Sequence, residues 1–413
     1  MSFIKQCAKA ICLPVIEKYN DKRAEVFLRK LNSKTHEKGK PMKVGFIVFE
    51  PETWDKQDKV YRELKANSDI ETKLIVVPSF DKELKVTKEY GNEWTFFHSI
   101  DNQAIRACGE DGRWTDLSEG GFDYIFYQDP YNEHMPTELR SNRMVKYSKI
   151  CYIPYGYVGS DVFNQGVTNK DFYRNVYCAF TDIEEVCGLL NQKFAKNVKN
   201  GIQRFLRLGY PALMDYYNTK QKEKISRILW TPRWSYHPEV GGSNFFENRD
   251  GFVSLADRYP DLSLCIRPHP MMFMNFIREG LMTESEKEVF LRTLKDKKID
   301  YSQGRELRED LGEADVLITD YSSIIPQFYM SGKPIIYCTS CIKLNKTFVR
   351  LSEGMYIADN WNQVEAYLDE LIKGNDSLAD VRQKIIKDMV EENKDAAERI
   401  TACLINDYKA SEK

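Results

Sequence analysis

The stretch Ala314–Cys338, ADVLITDYSSIIPQFYMSGKPIIYC, decides how this chain folds. Asp315 to Thr319 is a short, largely apolar run of the kind found in strands buried on both faces. A sharp turn of small and polar residues follows, then a helical segment, and a second buried strand runs from Pro334 to Tyr337. Strand, helix and strand joined this tightly make one unit of a parallel sheet. Asp320, Ser322 and Ser323 stand where the first strand gives way to the helix. Free backbone N–H groups and the positive end of the helix dipole meet there, so an anion is well received. The two hydroxyls can add hydrogen bonds to phosphate oxygens. The plainer alternative is that these residues only cap the helix.

The same alternation extends in both directions. Met42 to Phe49 (MKVGFIVF) reads as a buried strand, WDKQDKVYRELKAN after it as a helix, and ETKLIVVP as the next strand. Tyr124 to Tyr127 and Ile150 to Ile153 are further strands, and Thr181 to Phe205 turns helical. Gly209, Pro211 and the charged run after them mark a domain boundary near residues 210 to 225. Beyond it, Ile228 to Pro232 and Leu262 to Pro268 open a second α/β unit that the Ala314–Cys338 stretch completes. The expected fold class is α/β, with two Rossmann-like domains, an active site in the cleft between them and a C-terminal helical tail. The expected segments are an N-terminal helical piece (1–41), a first domain (42–215), a second domain (226–375) and C-terminal helices (376–413) that pack back across the cleft.

Bulk properties narrow the function. At 413 residues the chain exceeds one ordinary core and suits two. A net charge of −2 gives no global basic field, so nucleic acid is not an expected partner. Ten cysteines without His/Cys clusters read as reduced thiols of a cytoplasmic protein. No apolar run approaches the roughly 18 residues of a membrane span. Near the amino terminus, Phe3, Ile4, Cys7, Ile11 and Cys12 recur at near-helical spacing with Lys5 and Lys9 between them. This pattern fits either a helix packed on the body of the protein or one lying on a membrane surface.

In open parallel sheets, ligands bind at the carboxyl ends of strands where the strand order reverses. Three motifs of the second half end strands at that edge. Trp230-Thr231-Pro232-Arg233-Trp234-Ser235 offers a hydroxyl and a forked guanidinium suited to phosphate. Arg267-Pro268-His269-Pro270 fixes an imidazole between two prolines, beside an arginine, for proton transfer or charge neutralisation. The Asp320–Ser323 turn is the third. Arg233, Arg267, His269, Ser322 and Ser323 together make a diphosphate clamp that stabilises charge on a leaving group, with Thr231 and Asp320 as further donor-binding candidates. The loop Ser235 to Phe246, with His237, reads as a place for substrate-specific contacts or as a solvated loop.

These three motifs, in this order, resemble the CDP-glycerol glycerophosphotransferase family, whose members build teichoic acid backbones and related capsule polymers. Gly332-Lys333-Pro334, Gly209-Tyr210-Pro211 and the Met42 to Pro78 strand–helix–strand also fit the family pattern, so the similarity spans most of residues 42 to 375. The resemblance implies a GT-B fold. It implies a CDP-activated polyol donor on the C-terminal domain, with His269, Ser322 and Ser323 on its phosphates, and neither a resident cofactor nor a bound metal. The acceptor, a lipid-linked saccharide or growing polymer, would meet the N-terminal domain at the inner face of the membrane, with the protein peripheral there. Such an enzyme transfers glycerol phosphate or ribitol phosphate and releases CMP. The alternative is a GT-B glycosyltransferase using a nucleotide sugar for capsule or cell-wall polysaccharide.

One departure bears on the base. The family's N-terminal domain carries His-Gly-Thr after a strand, and its histidine is the presumed base. Here the strand ends Ile153-Pro154-Tyr155-Gly156-Tyr157, and an ordinary tyrosine, titrating near pH 10, is a poor base at pH 7. Asp129 and His134, in Gln128-Asp129-Pro130-Tyr131-Asn132-Glu133-His134, are the nearest substitutes at a strand end. Tyr155 itself, with His134 and Gly156 on the acceptor side, completes the candidates. A more acidic acceptor, or a different donor and acceptor, would also account for the change.

Overall fold

The computed structural model describes residues 3–79, 86–160, 168–217, 224–237, 242–302 and 307–413, with side chains from residue 14 onward. The chain divides into two compact units: Met1–Tyr155 with Gly166–Pro211 and Asp395–Lys413, and Gly156–Gln165 with Ala212–Lys394.

The first unit is built on seven strands: β1 (Met42–Val48), β2 (Ile70–Val76), β3 (Ile105–Arg106), β4 (Tyr124–Tyr127), β5 (Lys149–Tyr152), β6 (Val176–Phe180) and β7 (Arg204–Leu206). They run in the order β3-β2-β1-β4-β5-β6-β7, every pair parallel. The order reverses between β1 and β4, where Val44 pairs with Tyr124 and Ile47 with Tyr127. Phe46 and Phe126 stack across that junction at 4.7 Å, with Trp54 and Tyr61 edge-on to Phe46, so the reversal sits over an aromatic core.

The second unit has six strands: β8 (Arg227–Thr231), β9 (Ser263–Ile266), β10 (Asp300–Tyr301), β11 (Val316–Thr319), β12 (Ile335–Cys338) and β13 (Tyr356–Ala358). Their order is β10-β9-β8-β11-β12-β13, again all parallel, with the reversal between β8 and β11. Trp230 of β8 is fully buried and stacks on Phe245 at 5.7 Å, from the helix Phe245–Arg258.

Several expectations change in detail. The stretch expected to be helical from Thr181 to Phe205 holds two helices, Glu184–Lys193 and Ala195–Lys199, and enters β7 at Arg204. The helix after Ser323 is only Ile325–Tyr329, five residues long, so little dipole accumulates over that turn. The C-terminal helices belong to different units. Ala379–Asn393 stays in the second, through the fully buried Arg382, which donates to the Gly332 and Gly354 carbonyls and pairs with Asp376. Ala396–Lys409 returns to the first, where Asp407 accepts from Tyr124 Oη at 2.5 Å, Lys149 Nζ at 2.7 Å and the Tyr177 hydroxyl.

The N-terminal segment is one helix, Phe3–Asn32. From Glu17 on it packs against the first unit. Ala24, Leu28 and Leu31 are buried, and Arg174 and Lys170 pair with Glu17 and Asp21 at 2.7 Å. Val15, Ile16 and Tyr19 remain exposed, and the residues that suggested an amphipathic start, Phe3 to Cys12, have side chains outside the described residues. Among the described residues, no helix is long and apolar enough to cross a membrane. The eight described cysteines are free. Cys338 and Cys341 have C-x-x-C spacing, but burial pushes the Cys338 thiol far above its ordinary value.

Candidate functional site

In the second unit the three motifs converge on the β8/β11 reversal. Thr231 and Thr319 are paired residues at the carboxyl ends of β8 and β11, and their hydroxyls meet at 2.7 Å. One step on, the chain leaves β11 through Asp320, whose carboxylate is fully enclosed. Its oxygens accept from the Arg233 backbone at 2.9 Å, and from the backbone and side chain of Asn244 at 3.2 and 2.8 Å. Asp320 therefore ties the β8 and β11 turns together and is occupied by protein donors. Burial pushes its pKa up to about 6, the three hydrogen bonds and the Arg233 charge pulling against it.

The Arg233 guanidinium donates to the Tyr321 carbonyl at 3.1 Å and lies over the Tyr321 ring at 4.9 Å. His269 follows β9, its backbone N–H on the Pro232 carbonyl at 3.3 Å and its ring 6.3 Å from that of Trp234. Nδ1 of His269 accepts from the Met271 N–H at 3.2 Å, so the neutral ring carries its proton on Nε2, as a donor. The surrounding protein and, secondarily, the Arg233 charge hold this imidazole down to about 4, although its edge is open to solvent. His269 is thus neutral at pH 7 in the absence of an anion.

Ser322 is half-buried, its Oγ accepting from Ile324 N at 3.4 Å, and Ser323 is exposed. The chain passes from the first unit to the second between Tyr155 and Gly156, and the piece that follows lies along this turn. A Cβ on Gly156 would sit 3.4 Å from Ser323 Cβ, and Gly159 N donates to Tyr321 Oη at 2.8 Å. A Cβ on Gly159 would come within 2.5 Å of the Phe348 ring, so only glycine permits that approach. The Arg267 N–H donates to the Trp230 carbonyl at 2.8 Å, and its guanidinium pairs with buried Asp310 at 2.6 Å and reaches Ser302 at 3.3 Å. In the loop Ser235 to Phe246, residues 238–241 lie outside the described residues.

The first unit repeats the arrangement with different chemistry. Asp129 follows β4, almost fully buried, and accepts from Tyr131 N at 3.1 Å while its second oxygen holds His134 Nδ1. Burial pushes Asp129 up, against the pull of His134. His134 is lowered by burial but ends above its ordinary value, because the Asp129 hydrogen bond and charge outweigh that loss. Tyr155 meets Tyr131 hydroxyl to hydroxyl at 3.2 Å, and burial drives its pKa well above 10, further still from a base at pH 7. Gly156 belongs to the other unit.

Sequence reasoning passed over Glu50. It follows β1, on the other side of the same reversal, and its pKa is held up at about 7 by burial, then by Glu52 and Asp129, against the pull of His134. A lone glutamate after an apolar strand carries no signal of its own. The readable clue was its place, two residues past Val48 at the end of the first strand.

A family model described as CDP-Glycerol:Poly(glycerophosphate) glycerophosphotransferase matches residues 191–406, more than half of the chain. No curated protein matches it. Among solved structures, a UDP-GlcNAc 2-epimerase from Neisseria meningitidis bound to UDP-GlcNAc is 12% identical with a TM-score of 0.57, over 88% of this chain and 100% of that one. The wall teichoic acid polymerase TagF is 13% identical with a TM-score of 0.53, over 99% of both chains. Identities this low establish a shared fold, the two-unit GT-B type.

Proposed function

Because the chain belongs to the CDP-glycerol:poly(glycerophosphate) glycerophosphotransferase family, we propose that it transfers a polyol phosphate, glycerol phosphate or ribitol phosphate, from a CDP-activated donor to a hydroxyl of a lipid-linked saccharide or growing cell-surface polymer. The observation that carries this reading is the gathering of Arg233, His269 and the Ser322–Ser323 turn at the β8/β11 reversal, where an α/β sheet takes its ligands. Arg233 and the Nε2–H of His269 face the diphosphate, the two serine hydroxyls add hydrogen bonds, and Asp320 and Thr231 hold the turns in register. Arg267, the residue after β9, is tied to Asp310.

The acceptor hydroxyl attacks the β-phosphorus, the bond from that phosphorus to the bridging oxygen breaks, and CMP leaves with the bridging electrons. Charge on the departing phosphate is met by the clamp as it develops. The hydroxyl proton goes to a general base, and Asp129 and His134, just past β4, are the paired acid–base groups nearest to the tyrosine that replaces the family histidine. No resident cofactor enters the proposal. The helix Phe3–Asn32, with Val15, Ile16 and Tyr19 exposed, is the segment through which a peripheral membrane contact would run.

Titration of His269 tests donor binding. Free, it is neutral down to about pH 4. A bound diphosphate favours the imidazolium, so binding takes up a proton and strengthens as pH falls. If binding restores the ordinary value of 6.5, affinity for CDP-glycerol rises about tenfold between pH 8 and pH 5.5. Calorimetry in buffers of different ionisation heat measures that uptake, and His269→Asn abolishes it. An affinity independent of pH in the wild type would contradict the role given to His269. In the unliganded protein the two groups oppose each other. On acidification from 6.5 to 4, the depressed His269 makes the fold less stable, whereas the raised Asp320 makes it more stable as pH falls from about 6 to 3.8.

A further inference from the structure

The two sheets reverse strand order in the same way, and each carries polar groups at the carboxyl ends of the two reversing strands. In the first unit those strands are β1 and β4, and the residues just past them are Glu50 on one side, Asp129 and His134 on the other. The backbone that presents Glu50 is locked. Gln128 Oε1 accepts from Phe49 N at 2.8 Å and Glu50 N at 2.9 Å, and Gln128 Nε2 donates to the Glu50 carbonyl. One buried side chain just past β4 thus fixes the exit of β1 through three hydrogen bonds, the kind of support that a preorganised group needs. The neighbouring Gln57 donates to the Tyr127 carbonyl at 2.6 Å and closes the same junction from the helix side.

Within this frame the roles separate. Asp129 is committed to Tyr131 N and to His134, and His134 Nδ1 is committed to Asp129. Tyr155 is committed to Tyr131 and far from titrating. The carboxyl of Glu50 is half-buried and accepts from none of the described residues. The charged and titratable groups acting on it are Glu52 on its own turn and Asp129 and His134 from the β4 side, and Glu50 in turn acts on Tyr155. His134, which burial makes harder to protonate and Asp129 makes easier, pulls the Glu50 pKa down, against burial, Glu52 and Asp129.

Resting on the transferase reading above, we infer that Glu50 is a catalytic residue of the transfer: its carboxylate takes the proton of the attacking acceptor hydroxyl. The His134–Asp129 pair acts on it electrostatically. One O–H bond breaks, one Glu50 carboxyl O–H bond forms, and that proton passes to solvent once the product has left. Its pKa of about 7 suits a general base at neutral pH, a stronger acceptor than an ordinary carboxylate yet still half ionised.

Glu50→Gln keeps the shape of the side chain and removes the base. The expected result is a fall in kcat for CMP release of about 100-fold or more, with KM for the CDP-polyol unchanged and the acidic limb of the pH profile near 7 gone. Glu50→Asp restores part of the rate. A Glu50→Gln enzyme within threefold of wild-type kcat that keeps that limb overturns the inference. Carboxyl-carbon NMR of the free protein, with Glu50 assigned through the variant, gives a second readout independent of turnover. A resonance titrating near 7 is expected, and one titrating at the ordinary 4.5 overturns it. Donor binding separates the two levels. Glu50→Gln keeps the thermal stabilisation by CDP-glycerol, whereas a wild type that neither binds CDP-glycerol nor releases CMP contradicts the transferase reading.

Discussion

His269→Ala lowers CMP release from a CDP-polyol by about 10²- to 10³-fold, the usual cost of removing one preorganised donor to developing negative charge. His269 is held from three directions: Pro268 and Pro270 restrict its backbone, its backbone N–H is on the Pro232 carbonyl, and Nδ1 is fixed by Met271 N. What remains to act is the Nε2–H, beside the Arg233 charge. Its edge is exposed and it fills no core position, so the variant unfolds at nearly the wild-type temperature. His269→Gln, which can present an N–H in a similar place, recovers part of the rate. Single-turnover kinetics with saturating donor, beside a thermal melt of each variant, checks both statements. A His269→Ala enzyme with full activity would remove the imidazole from the chemistry.

Asp407→Ala produces the largest expected loss of stability. Asp407 gathers the hydroxyls of Tyr124 and Tyr177 and the ammonium of Lys149 onto one largely buried carboxylate, fastening the helix Ala396–Lys409 to β4, β5 and β6. Its removal leaves a largely buried lysine unpaired and two hydroxyls without their acceptor, a class of change that costs about 3–5 kcal/mol. Urea titration of variant and wild type measures it. Although burial opposes ionisation, Lys149 and the two tyrosines hold the Asp407 pKa below 3.8. Its contribution is fully present above that value and is lost as pH falls through the lower folded value. The stability difference between wild type and variant therefore shrinks in acid, and a difference independent of pH would assign the loss to packing alone.

How much of this could be read from the chain follows from burial. β1, β2, β4, β5, β8, β9, β11 and β12 stand out because parallel strands covered on both faces are continuous apolar runs, as in MKVGFIV and VLIT. β3 and β10 have two residues each and β13 three, too short to impose a pattern, and their pairing is dictated by the strand beside them. The short helix Ile325–Tyr329 shows the limit of a motif argument: the turn is where the residues placed it, but the helix that was to supply a dipole is barely more than one turn. Asp320 also differs in kind from its two serines. Its type suits capping or anion sites, yet its oxygens are taken by Arg233 N and Asn244, partners that come from β8 and its following loop. The tuning of Glu50 was illegible for the same reason. The groups that lock and tune it, Gln128, Asp129 and His134, lie 78 to 84 residues further on and meet it only because β1 pairs with β4.

The transfer of phosphorus itself is the most direct test. CDP-glycerol labelled with ³²P at the β-position is incubated with the protein and a lipid-linked or polymeric acceptor, and the products are separated. Attack at the β-phosphorus places the label in the polymer and releases unlabelled CMP. Label leaving with the nucleotide as CDP would mean that a carbon–oxygen bond had broken instead, as in a glycosyltransferase, and would contradict the account.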